Sequence, residues 1–200
     1  MNKRNLLFKL LEGTILVLIF YKILQILFRI YAIVTVTRVV HGNESVRTQF
    51  PYILEELRIE HLTDYIFVVS YLILLSTWFY IKYINAHTVS HLQLTYKPIW
   101  ALFAFFIPIF NLVAPYKIMN ELWTVRDKDM ANDQRGKNII KTWWILSILI
   151  FVASRYLSVQ ANQAEGLEAF LTFEYYYLFF YLVSLHYFLE TIKLIRMIGA

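Results

Sequence analysis

His87 and His91 stand four residues apart, a spacing that puts both imidazoles on one face of a helix and could offer two nitrogens to a metal ion. The pair has no glutamate placed as in a zinc-protease helix and no clear third ligand, so ordinary histidines are the better reading and no metal is assigned. His41, Glu44, Glu60 and His61 form a second ligand set that is equally unspecific. Glu121 could act as a working carboxylate, but Lys117 lies four residues before it, and an i, i+4 ion pair is the simpler account. Lys22 and Arg29 are seven apart inside an apolar run, so they share one helical face about 10 Å apart along it. Ionisable groups at such depth either line a functional, watery interior or snorkel toward opposite interfaces, and both readings stand. Glu174 for Arg29 and Glu190 for Lys22 are the candidate counter-ions. Asn111 lies between Pro108 and Pro115; its amide could line a cavity, but satisfying the backbone groups released at the prolines is the favoured role. No phosphate-binding glycine loop, nucleophile elbow or dinucleotide fingerprint is present, so no catalytic residue and no cofactor is assigned.

The elements that must hold these residues are membrane helices. Of 200 residues, 59% are hydrophobic and only 16% charged, well outside soluble composition. The absence of cysteine excludes disulfides and thiolate metal sites. The net charge of +5 comes from scattered residues flanking apolar runs rather than from a basic stripe, so the implied partner is the lipid bilayer and not nucleic acid.

Apolar runs near the ~20 residues needed to cross a bilayer fall at about 13–37, 65–81, 139–157 and 175–192, and one helical membrane domain over 1–200 is expected. The amino-terminal run is too long for a signal peptide and reads as an uncleaved span. Between the first two spans, YILEELRIEHL reads as an amphipathic piece at the membrane surface. Trp143 and Trp144 read as an interfacial anchor, and Tyr175, Tyr176, Tyr177, Tyr181 and Tyr187 as packing and anchoring on all sides of the last helix. The segment 98–123 is apolar yet interrupted by Pro98, Pro108 and Pro115, which rules out one straight, fully bonded helix.

That segment either crosses the membrane as a fifth span or returns to its own side as a re-entrant or interfacial element. Of the 19 lysines and arginines, a returning segment leaves thirteen inside against Arg38, Arg47, Arg58 and Arg155 outside, with Lys22 and Arg29 in the first span. A crossing segment gives at best eleven to six, so the excess of positive charge inside favours return, with both termini cytoplasmic. The second and last spans also align without gaps, Asp64 with Glu174 and Tyr71 with Tyr181, which suggests two helices of the same orientation flanking the broken element.

The stretch PIWALFAFFIPIFNLVAPYKIMNELW resembles the signature of the DUF4328 family of bacterial membrane proteins, at Pro98, Trp100, Pro108, Asn111, Pro115, Tyr116, Glu121 and Trp123. Asn85 and the Trp143–Trp144 pair also resemble family positions, and the resemblance runs from residue 65 to the end and more loosely over the whole chain. It implies a multi-span protein of the bacterial inner membrane and carries no activity with it.

The leading expectation for function is a non-enzymatic module that binds or scaffolds another membrane component, with a membrane-protein partner or a second copy of the chain among the possible partners. A small transporter or channel with a central site at the broken segment and the Lys22–Arg29 face is the alternative. A membrane enzyme using Glu121 or the histidines comes third.

Overall fold

The computed structural model describes residues 3–42, 50–89, 93–126, 134–161 and 166–199. These form seven helices: α1 (Lys3–Val40), α2 (Phe50–Val89), α3 (Pro98–Phe103), α4 (Pro108–Asn111), α5 (Ala114–Arg126), α6 (Gln134–Ala161) and α7 (Leu167–Gly199). Four of them contain stretches long and apolar enough to span a membrane: Leu6–Val40, Leu62–Val89, Gln134–Val159 and Leu167–Gly199. The chain is an all-α multi-span membrane protein, and no strand occurs among the described residues.

Each long helix overruns the apolar window that marks it in the sequence. The clearest case is α2, in which the stretch read as a separate surface piece is the first third of one continuous helix. No proline or glycine interrupts residues 52–89, so once the apolar half is helical, each further residue adds a hydrogen bond without a new nucleation cost.

A heptad stripe explains how α1 is held. Leu11, Ile15, Leu18, Lys22, Gln25, Arg29, Ala32 and Val36 are all buried, and their alternating steps of four and three are those of a coiled-coil seam. The facing stripe on α7 contains Glu174, Tyr181, Ser184, Phe188, Thr191, Ile195 and Ile198. The two helices run antiparallel: Arg29 meets Glu174, Glu12 meets Arg196, and a Cβ on Gly199 would strike the Phe8 ring. Helix α2 is antiparallel to α1, with Tyr21 against Phe67 at 5.0 Å, and parallel to α7, whose terminal carbonyls of Ile198 and Gly199 accept from Lys82 Nζ.

The prolines of the broken segment act as starts rather than kinks. Pro98 opens α3 after an extended Lys97, Pro108 opens α4 after an extended Ile107, and Pro115 is the second residue of α5. At those positions the missing N–H has no intrahelical partner to lose. The segment leaves the bundle end near Tyr96, reaches as far as Phe79, whose ring lies 5.0 Å from Phe105, and comes back. Its two ends are tied together, because Glu121 accepts from the Tyr83 hydroxyl and from the Thr95 N–H at 3.0 Å, while Tyr96 N–H donates to the Tyr83 hydroxyl at 3.2 Å.

Most of the core lies at this end of the bundle, around Trp78, Phe79, Tyr83, Met119, Trp123 and Trp143. Trp123 lies so close over Gly136 that no side chain fits there, which brings α5 directly onto α6. Trp143 is not an interfacial anchor. It is fully buried, stacks on Tyr187 and donates through its indole N–H to Thr191 Oγ1 at 3.1 Å, because its face of α6 is the one that packs on α7.

Candidate functional site

Helix α1 supplies two cations to the middle of the bundle, and each meets a carboxylate from a different helix. Lys22 Nζ lies 2.8 Å from Asp64 Oδ1 of α2 and donates to Gln25 Oε1 at 2.6 Å. Arg29 Nη1 donates to both oxygens of Glu174 of α7, at 2.7 and 2.9 Å. Tyr181 joins the two pairs: its hydroxyl is 3.4 Å from Arg29 Nη2 and 3.4 Å from Asp64 Oδ2, and Lys22 Nζ sits 4.5 Å from its ring centroid. The Arg29 guanidinium also covers the Tyr177 ring at 4.7 Å.

The chain of groups is electrically balanced, two cations against two carboxylates. In a low-dielectric interior that balance is what makes burial tolerable, since an unmatched charge there is far costlier than a paired one. Glu174 is the partner expected for Arg29. Lys22 takes Asp64 rather than Glu190, whose carboxylate is held by Lys193 at 2.7 Å. The reason is depth: Asp64 lies level with Tyr181, seven residues or about 10 Å along α7 from Glu174, which matches the spacing of Lys22 and Arg29 on α1. The two carboxylates that align in sequence therefore sit at different depths.

Beside this network lies a cleft of about 760 Å³, bounded by α2, α6, α7 and the tip of the broken segment, with Lys22 of α1 at one end. Lys22, Asp64 and Tyr181 line one end of it and Phe105, Asn111 and Leu112 the other. Its floor is buried at Tyr71, Tyr181 and Ser184, and its rim is exposed at Val68 and Phe151, so it opens sideways between α2 and α6. The walls are chiefly apolar, with a few polar groups, and the volume lies within the ~300–1,000 Å³ usual for ligand sites.

The other residues singled out from the sequence are dispersed. Asn111 lines the cleft, and its side chain makes no hydrogen bond among the described residues. The backbone at the break is satisfied by its own turns instead, including Asn111 N–H to Ile107 O at 2.7 Å and Val113 N–H to Phe110 O at 3.1 Å. Glu121 holds the two ends of the segment together rather than pairing with Lys117. Pro115 and Trp123 are buried, Tyr116 is partly buried, and Trp100 is exposed apart from a ring contact with Phe110.

His87 turns back on its own helix, its Nδ1 2.9 Å from Tyr83 O, and His41 does the same with Thr37 O at 2.7 Å. His91 and Glu44 lie outside the described residues, as do the side chains of Glu60 and His61. Sequence reading passed over Gln25 and Tyr181 as members of the network. The signal available for Gln25 was its place on the Lys22–Arg29 face, three residues beyond Lys22.

A family model described as a domain of unknown function, DUF4328, matches residues 59–200. The match takes in Asp64, the broken segment, Glu174 and Tyr181, but not α1 with its two cations. No curated protein and no solved structure matches the chain.

Proposed function

The chain belongs to the DUF4328 family, and from that premise we propose that it works as a non-enzymatic membrane module that binds another membrane component in the cleft between α2 and α6. The observation that carries this reading is the cleft's lateral opening: its exposed rim at Val68 and Phe151 would face the lipid phase, so a molecule dissolved in the bilayer could enter without leaving it. A transporter built on an open Lys22–Arg29 face is less well supported. Arg29 is closed off by Glu174 and does not line the cleft.

We further infer that the protein sits in a bacterial inner membrane with both termini cytoplasmic and the broken segment re-entrant from that side. The charge distribution supports this, as does the meeting of the segment's two ends at Glu121 and Thr95.

The test is extraction in mild detergent followed by native mass spectrometry. The wild-type chain should carry an added mass, and Ser147→Trp, which fills the cleft, should lose it. A wild-type chain that carries nothing under conditions preserving its fold would overturn the reading.

A further inference from the structure

Resting on the cleft as the binding surface, we propose that its occupant is an acylglycerol, a lipid with a small, uncharged, hydroxyl-bearing head, seated with the head at Asp64 and one acyl chain running toward Phe105. Charge is the first ground. Lys22 and Asp64 are the charged groups lining the cleft, and at 2.8 Å they neutralise one another, so the wall has no net charge to offer. An anionic or cationic head would bring an unmatched charge against a chiefly apolar wall, whereas a neutral head would not.

What the wall offers at the Lys22–Asp64 end is a hydrogen-bond acceptor. The Asp64 side chain is 21% exposed against 5% for Lys22, so of the two charged side chains lining the cleft Asp64 is the more accessible. Its Oδ1 is taken by Lys22, while Oδ2 has only the Tyr181 hydroxyl at 3.4 Å, well beyond the usual O–H···O⁻ length of about 2.5–2.7 Å. Oδ2 therefore stands short of a close donor, and a lipid hydroxyl supplies one. The serines along the wall do not compete for that role, since Ser147 and Ser184 donate to Trp144 O and Phe180 O of their own helices, at 2.7 and 2.8 Å.

Length is the second ground. Along α6 the lining runs from Trp144 to Ser158, fourteen residues or about 21 Å. One leaflet with its headgroup region is roughly 20–22 Å deep, half of the ~40–45 Å bilayer. The cleft thus matches a lipid that spans one leaflet, and a long isoprenoid alcohol with the same head chemistry would overrun it.

The experiment uses the full chain in phosphatidylcholine vesicles with photoactivatable single-chain probes of equal length headed by glycerol, carboxylate or ammonium, and a long isoprenoid alcohol as a fourth. The glycerol probe should label residues 144–158 and 177–188 about tenfold or more above the charged probes, a difference of about 1.4 kcal/mol. Labelling should fall away in Ser147→Trp and be competed by unlabelled acylglycerol. In Asp64→Asn, Lys22 loses its counter-charge, so the preference should move to the carboxylate probe, an inversion that simple misfolding would not produce. Cleft labelling without preference among heads, or with the carboxylate favoured in the wild type, overturns this proposal but leaves the cleft a binding site. Superior labelling by the isoprenoid alcohol overturns the assignment to acylglycerol. Absence of cleft labelling by every probe, with the chain still carrying the mass lost in Ser147→Trp, removes the lipid and retains the broader reading.

Discussion

Arg29 meets Glu174 through a single nitrogen, Nη1, which reaches both carboxylate oxygens while the arginine and the glutamate are 1% and 2% exposed. Removing one partner strands the other in an apolar interior. Arg29→Met is expected to lower stability in detergent by about 3–5 kcal/mol, and the double change Arg29→Met with Glu174→Leu should recover most of that loss. Thermal unfolding of the two single variants and the double variant checks it; simple additivity would show that the pair is not coupled.

At the other end of the bundle, Gly136 gives α6 its close approach to α5. A Cβ there would strike the Trp123 indole, so Gly136→Ala should destabilise by roughly 1–3 kcal/mol, the usual range for overpacking. Fluorescence should shift as the Trp123 ring leaves its buried position, and restoring stability with Trp123→Leu in the same chain would assign the effect to that contact.

Tyr83 ties both ends of the broken segment to α2. Tyr83→Phe removes the donor to Glu121 and the acceptor for Tyr96 N–H, so the amides of Thr95 and Tyr96 should exchange with solvent deuterium faster while the amides of α1 and α7 keep their protection. Global acceleration would mean that the joint supports the whole fold rather than the segment.

Asn111→Leu should change thermal stability by less than about 0.5 kcal/mol, because the amide makes no hydrogen bond that leucine would break. A loss of 1–3 kcal/mol, the magnitude for a buried polar group left unpaired, would instead show that the asparagine serves the backbone at the break.

Orientation is accessible because the chain contains no cysteine. Single cysteines at Asn2, Asn43, Asn132 and Ala200 should react with an impermeant reagent on whole cells at position 43 alone. Reaction at 132 would require the broken segment to cross the membrane.

Much of this was open to sequence reading. The four apolar stretches were visible because ~20 uninterrupted apolar residues have few other uses. The Arg29–Glu174 pair was visible because a cation and a carboxylate so deep in apolar runs have few alternatives. Lys22 was matched to Glu190 instead of Asp64 because the offset in depth between α2 and α7 is set by packing, which no single helix records. Trp143 was misjudged for a similar reason: tryptophan suits both an interface and a core, and the choice depended on which face of α6 meets α7. The cleft left no trace in the sequence at all, since its walls come from α1, α2, α6, α7 and the broken segment together.

The Arg29–Glu174 pair also has a consequence for how the protein is made. The partners lie 145 residues apart, so at ~5–20 residues per second a ribosome needs roughly 7–30 s after releasing Arg29 to deliver its counter-ion. Lys22 waits far less, since Asp64 follows after 42 residues. During nascent-chain insertion Arg29 therefore lacks the Glu174 carboxylate until α7 emerges, which favours keeping Leu6–Val40 beside the insertion machinery or shallow in the headgroups meanwhile. A ribosome stalled before Glu174 would leave a fragment without that counter-ion, a ready mark for membrane quality control.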